Sequence, residues 1–232
     1  THSSRQYLGD TLVLETTWVT ASGRARVLDF MPLGEVNSVV RIVEGLAGET
    51  HFEMDLVMRF DYGRSVPWVE RLDPLTLSAV AGPDRLILCS TVPPQARDHH
   101  TGCRFRVSTG QRQVFSLRHQ PSHLPVQPDC NIDHALANTC EQWQAFADRC
   151  PQVGPYTALV RRSLLTLKAM TYAPTGGIVA AVTTSLPERI GGERNWDYRY
   201  CWLRDATMTL LAFMNLGYFD EAQAWREWLL RS

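Results

Sequence analysis

Lysine is nearly absent. Of the 23 basic residues, 22 are Arg and only Lys168 is Lys, so most of the positive charge can pair in a planar, bidentate way. A net charge is also missing, since 24 acidic residues leave a balance of −1. A broad phosphate-binding field is thereby excluded, and no nucleic-acid partner is expected. No apolar run approaches the roughly 18 residues that cross a bilayer, so no membrane partner is expected either. None of the six cysteines, at 89, 103, 130, 140, 150 and 201, forms a CxxC pair. The spacing of ten between Cys130, Cys140 and Cys150 matches no common metal site. Reduced thiols in a cytoplasmic protein are the expectation, supported by the lack of an apolar leader after Thr1. Neither GxxxxGK[ST] nor a strand-linked GxGxxG is present, and Ser163 and Ser185 lie in no nucleophile elbow. His99-His100 is a vicinal pair that reads as a surface turn rather than as two ligands of one metal. No cofactor and no metal are expected.

What is present divides into two periods. Residues 10–120 read as short strands. Phe52, Met54, Leu56, Met58 and Phe60 alternate with polar or smaller neighbours, the period of a strand with one buried face. Further strands are predicted over 11–19, 25–31, 37–45, 66–71, 75–81, 85–91, 103–109 and 112–118. Turn signals at Ala21-Ser22-Gly23, Asp61-Tyr62-Gly63, Asp73-Pro74, Gly82-Pro83-Asp84 and Thr109-Gly110-Gln111 separate most of them. Many short strands without intervening helices argue for antiparallel sheets packed as a sandwich. This half shows no acid pair and no cluster of aromatics with charges, so its expected role is structural.

The segment Gln120–Pro128 holds three prolines and reads as a linker. Beyond it apolar residues recur at three and four. Helices are predicted over about 132–149, 156–172, 205–215 and from 220 to the end. The second is apolar on more than one side and is expected to be buried between layers. Trp225, Trp228, Leu229 and Leu230 form an apolar face with nothing after it to pack against. The expectation is therefore a fragment: a β domain over 1–120, a linker and connector helix over 121–152, and the start of a larger α domain over 153–232.

Between Pro187 and Asp205 lie eight charged residues, two Trp and two Tyr, within the longest connection between helices. Long loops inside compact domains are usually functional. Aromatic faces beside Arg and carboxylates suit a polyol, whose C–H groups pack on rings while its hydroxyls take charge-assisted bonds. The same composition also fits a purely structural loop. There Asp205 would cap a helix, Arg204 would pair with a neighbouring acid, and Trp196 and Trp202 would fill a core. Another ligand is the third possibility.

The motifs carry a resemblance. Thr171–Ala181, Thr183–Glu188, Gly191-Gly192 and Arg194–Ala206 closely resemble bacterial members of glycoside hydrolase family 15, the glucoamylase and trehalase-like group. Upstream, Val27–Pro32, Val40–Leu46, Arg59–Gly63 and Pro67-Trp68 look like the β-sandwich that precedes its catalytic domain. The resemblance implies a β-sandwich followed by the first helices of an (α/α)6 barrel, the remainder of that barrel being a partner of this chain. It implies inverting hydrolysis of an α-glucoside substrate, with trehalose first and maltooligosaccharides or dextran-type substrates after it. In the family the Tyr-x-x-x-Trp-x-Arg-Asp element holds the glucosyl unit before the cleaved bond; here it is Tyr198, Trp202, Arg204 and Asp205. The family's catalytic glutamates come from later segments, and none of Glu188, Glu193, Asp197, Glu221 or Glu227 occupies their positions. The chain alone is therefore expected to be inactive. The competing class is a non-catalytic carbohydrate-binding or scaffold protein. The oligomeric state has no signal in the sequence.

Overall fold

The computed structural model describes residues 1–34, 37–127, 131–183 and 188–232. Cys130, part of the Gln120–Pro128 linker and Thr184–Pro187 of the loop motif lie outside the described residues. The chain forms two compact units, Thr1–Gln142 and Trp143–Ser232. Among the described residues, an antiparallel β domain of ten strands precedes four α-helices, as the periodicities and the resemblance lead one to expect.

The strands are β1 (His2–Tyr7), β2 (Leu14–Val19), β3 (Gly23–Phe30), β4 (Ser38–Leu56), β5 (Trp68–Asp73), β6 (Thr76–Ala81), β7 (Asp84–Ser90), β8 (Gln95–Arg97), β9 (His100–Ser108) and β10 (Arg112–Pro121). They pair in the order β1-β2-β3-β4-β10-β7-β6-β5, with β9 on β4 and β8 on β9. The strand predicted over 37–45 and the first part of the one over 52–60 are a single strand, β4, which ends at Leu56. Its first half pairs with β3 and β10, and its second half pairs with β9. Glycine makes this change of partner possible. At Gly45 a Cβ would sit 2.1 Å from the Ser108 carbonyl oxygen, and Gly48 takes a left-handed φ of 61°.

Alternation buries both faces of the sheet. Ala25, Val27, Val43 and Phe115 pack with Phe52, Phe105 and Val107 of the β4–β9 arm. Val13, Leu28, Phe30, Val40 and Ile42 pack with Ile132, Leu136 and Cys140. Those last three lie on α1 (Ile132–Asp148), which begins within the first unit. The linker starts later than predicted, because β10 continues through Gln120 and Pro121, opposite Arg85 and Asp84.

The second unit holds the end of α1, then α2 (Thr157–Ala169), α3 (Leu203–Asn215) and α4 (Phe219–Arg231). Its centre is aromatic: Phe213 and Tyr218 are fully buried, and the Tyr218 hydroxyl donates to the Phe146 carbonyl at 2.8 Å. Burial pushes the Tyr218 phenol up to about 12. Beside it the buried Glu221 carboxylate accepts from Lys168 Nζ at 3.1 Å and lies 3.6 Å from Arg149. Two expectations need correction. On α2 only Leu164 and Leu165 are buried while Leu159 is exposed, so the helix is not enclosed on several sides. On α4, Trp225 packs on the cluster of Ile178, Ala206 and Leu210, and Trp228 lies against Gly177. Only Leu229 and Leu230 of that face remain exposed. The returning segment 175–178 supplies the cover. It comes this close because Gly176 has φ +83° and a Cβ there would sit 2.5 Å from the Ala224 carbonyl oxygen.

Candidate functional site

The polar aromatic loop is anchored by backbone pairing. Thr171 and Ile178 form a bridge, and the Val179 amide donates to Met170 O at 3.0 Å. The amides of Ala180 and Ala181 donate to the carbonyls of Tyr200 and Tyr198 at 3.0 and 2.8 Å. A short extended seam therefore ties the start of the loop to its end. Below the seam, Ile178 and Cys201 join the apolar cluster under α3.

Helix α3 begins at Leu203, two residues before the predicted start at Asp205. Trp202 occupies the cap position with extended backbone and no side-chain cap. Asp205 is thus a first-turn residue and not an N-cap. A carboxylate there still gains from the positive end of the helix. Arg204 Nη2 donates to Asp205 Oδ2 at 3.1 Å, with the two side chains 74% and 31% exposed. Ala206, fully buried, fixes the turn from below.

Tyr198 and Trp202 lie ring to ring, with centroids 5.1 Å apart and planes tilted by 41°. The indole N–H of Trp202 donates to the Asp197 carbonyl at 3.4 Å. The four predicted residues therefore form two local pairs, an aromatic pair and an ion pair. Both are accessible to some degree at the start of α3. Trp196 and Tyr200 are exposed and do not fill a core.

Sequence reading missed the brace behind this arrangement. Asp197 accepts from Arg199 Nη2 at 2.8 Å, from its Nε at 3.1 Å, and from its backbone amide at 2.9 Å. The Asp-x-Arg spacing was the available signal, since an Asx side chain readily bonds the amide two residues on. Folding also corrects the reading of the β half. It gathers Arg59, Trp68, Asp98, His99 and His100 around one cleft, residues too far apart in sequence to register as a cluster of aromatics with charges.

Chemically, the loop offers ring faces for C–H groups and a paired donor and acceptor for hydroxyls. Of the other carboxylates in this unit, Glu221 is buried with Lys168 and Arg149, and Glu227 accepts from Gln223 at 3.1 Å. Glu188 lies 3.8 Å from Arg194.

The chain is similar to known proteins. The family model described as Glycosyl hydrolases family 15 matches residues 154–232. A trehalase from Mycobacterium tuberculosis is 32% identical over 95% of this chain and 36% of its own length. A trehalase from Thermoplasma volcanium is 31% identical over 85% of this chain and 32% of its own. Trehalase 1 of Sulfolobus acidocaldarius is 28% identical over 91% of this chain and 35% of its own. The chain thus spans about a third of the length of the curated relatives it matches.

Proposed function

We propose, on the premise that this chain belongs to glycoside hydrolase family 15, that it supplies the glucosyl-binding loop of a hydrolase of α-linked glucosides. Trehalose is the first substrate, because relatives named trehalase align along nearly the whole chain. Maltooligosaccharides and dextran-type glucosides come after it. The observation that carries the reading is the joint placement of the Tyr198–Trp202 ring pair and the Arg204–Asp205 ion pair at the start of α3.

In the proposed reaction a carboxylic acid protonates the leaving oxygen and a carboxylate activates water on the opposite face. An inverting pair stands about 6.5–9.5 Å apart to admit that water. This chain's residues do the holding. Arg204 donates to hydroxyl oxygens, Asp205 accepts from hydroxyls, and the ring pair covers the apolar face of the sugar and excludes water from it. The acid and the base lie in the remainder of the barrel. The engagement of Glu188, Glu221 and Glu227 supports leaving them out of the pair.

Initial rates on trehalose, maltose and isomaltose, measured on the active full-length protein, test the substrate order. Trehalose should be cleaved fastest, and inversion should release β- and α-glucose from it in equal amounts, the attacked unit as the β anomer and the leaving unit as the α anomer. Release of α-glucose alone would rule out inversion. Failure to cleave any of the three would favour the non-catalytic binding role.

Trp202→Phe separates binding from packing. The indole is only partly buried, so the melting temperature should fall by no more than a few degrees. Affinity for a glucose analogue should fall about threefold to tenfold, as expected for a lost ring contact. A large loss of melting temperature with unaltered affinity would assign Trp202 to the core.

A further inference from the structure

Among the described residues, four that are not glycine take left-handed backbone angles: Asp61 and Tyr62, with φ 47° and 54°, and Asp98 and His99, with φ 52° and 63°. Asp and His tolerate such angles; for Tyr they are uncommon, and clusters of them gather at binding sites. All four sit in two turns of the β unit. The first turn is closed by reciprocal backbone bonds between Phe60 and Ser65, at 2.9 and 3.0 Å. The second is the two-residue link between β8 and β9, with Arg97 opposite His100. Residues flanking the first turn and residues of the second line one cleft of about 430 Å³.

The walls differ in chemistry. Trp68 opens β5, which pairs with β6 at the end of the strand order, and stands 80% exposed beside the cleft. Met58 and Thr101, both almost fully buried, belong to the lining. Arg59 is held by its own Nη1, which donates to Met58 O at 2.7 Å and to His99 O at 3.4 Å. A guanidinium has five N–H donors, so donor capacity remains. His100 engages Asp55 through Nδ1 at 3.1 Å, which leaves Nε2 as the edge for a ligand. Asp98, paired with Arg97 at 3.2 Å, adds an acceptor.

We infer that this cleft is a second saccharide-binding site, where a neutral pyranoside stacks on the Trp68 indole and takes hydrogen bonds from Arg59 and His100. The ring face meets the C–H groups of a sugar, and donors and an acceptor stand within one small opening beside it. The volume falls at the lower end of small-ligand sites, about 300–1,000 Å³, and suits a short saccharide. Asp98 pairs with Arg97 and Asp55 with His100, so positive charge at the cleft is partly offset, which favours a neutral ligand over an anion. The site belongs to the β unit alone and goes beyond the loop before α3, so either can fail without the other.

The test uses the intact 232-residue chain labelled with 5-fluorotryptophan, with maltotriose as the probe. The fluorine resonance of Trp68, assigned by its loss in Trp68→Phe, should shift on titration. In calorimetry Trp68→Ala should weaken this binding component about tenfold, while Trp202→Ala leaves it unchanged. The exposed indole contributes little to folding, and the circular dichroism of Trp68→Ala should match the parent. An unmoved Trp68 resonance at about 10 mM maltotriose would overturn the inference, whether or not Trp202 responds. A Trp68→Ala chain that binds like the parent would do the same. If only Trp202 responds, the loop reading stands without the second site.

Discussion

Asp205→Asn in the active full-length protein is expected to lower kcat/KM on α-glucosides by roughly 30- to 1,000-fold, about 2–4 kcal/mol of transition-state stabilisation. The carboxylate sits in the first turn of α3, half-turned to solvent and bonded to Arg204 Nη2 at 3.1 Å. Asn keeps the shape and one acceptor but loses the charge that would strengthen the proposed bonds to sugar hydroxyls. It also loses a favourable interaction with the helix end, worth about 0.3–1 kcal/mol, so stability falls only slightly. For a chain of this size that is about 1–4 °C in melting temperature. Steady-state kinetics on trehalose, maltose and isomaltose, with a melting curve on the same preparation, separate the two effects. Unchanged turnover on all three substrates would remove Asp205 from the glucosyl site. A large fall in melting temperature would make its role structural.

Phe213→Ala is expected to destabilise the helical unit by about 3–5 kcal/mol, the usual cost of truncating a fully buried aromatic ring. Phe213 has no exposed surface, and its ring lies 6.5 Å from Phe146 and 6.1 Å from Tyr218. The cavity has little to collapse into it, since Tyr218 is itself held by its bond to the Phe146 carbonyl. The melting temperature should drop by about 6–20 °C. Because Phe213 lies two turns beyond Asp205 on the same helix, saccharide binding should persist below the lowered transition and vanish with it. A loss under about 1 kcal/mol would mean that this aromatic cluster is not the core of the unit.

The two halves were legible in the sequence to different degrees, for physical reasons. Alternation from Phe52 to Leu56 marks a half-buried strand, and the structure has one there. β1 escaped because His2–Tyr7 is exposed along its whole length and therefore shows no alternation. β4 was read as two strands; the lack of a Cβ at Gly45 lets one strand continue past the Ser108 carbonyl. Asp205 looked like a cap because local propensity favours it, yet Trp202 takes that place, tied to Tyr198 and the Asp197 carbonyl. The ion pair and the ring pair of the loop were visible as residue types at close spacing. The Trp68 cleft was not, since its walls come from residues about 30 to 40 apart, on β5 and on the turn that pairing of β4 with β9 brings back beside Met58 and Arg59.

Turnover of trehalose by purified chain comprising residues 1–232, with mass spectrometry confirming both ends, tests most directly the claim that this chain binds the glucosyl unit without carrying the acid and base. Each missing member of such a pair forfeits about 10²–10⁴-fold, so the predicted result is no detectable hydrolysis of trehalose, maltose or isomaltose. Turnover comparable to a full-length family member would contradict the account. It would bring the catalytic pair within these residues, with Glu193 and Asp197 the first to replace.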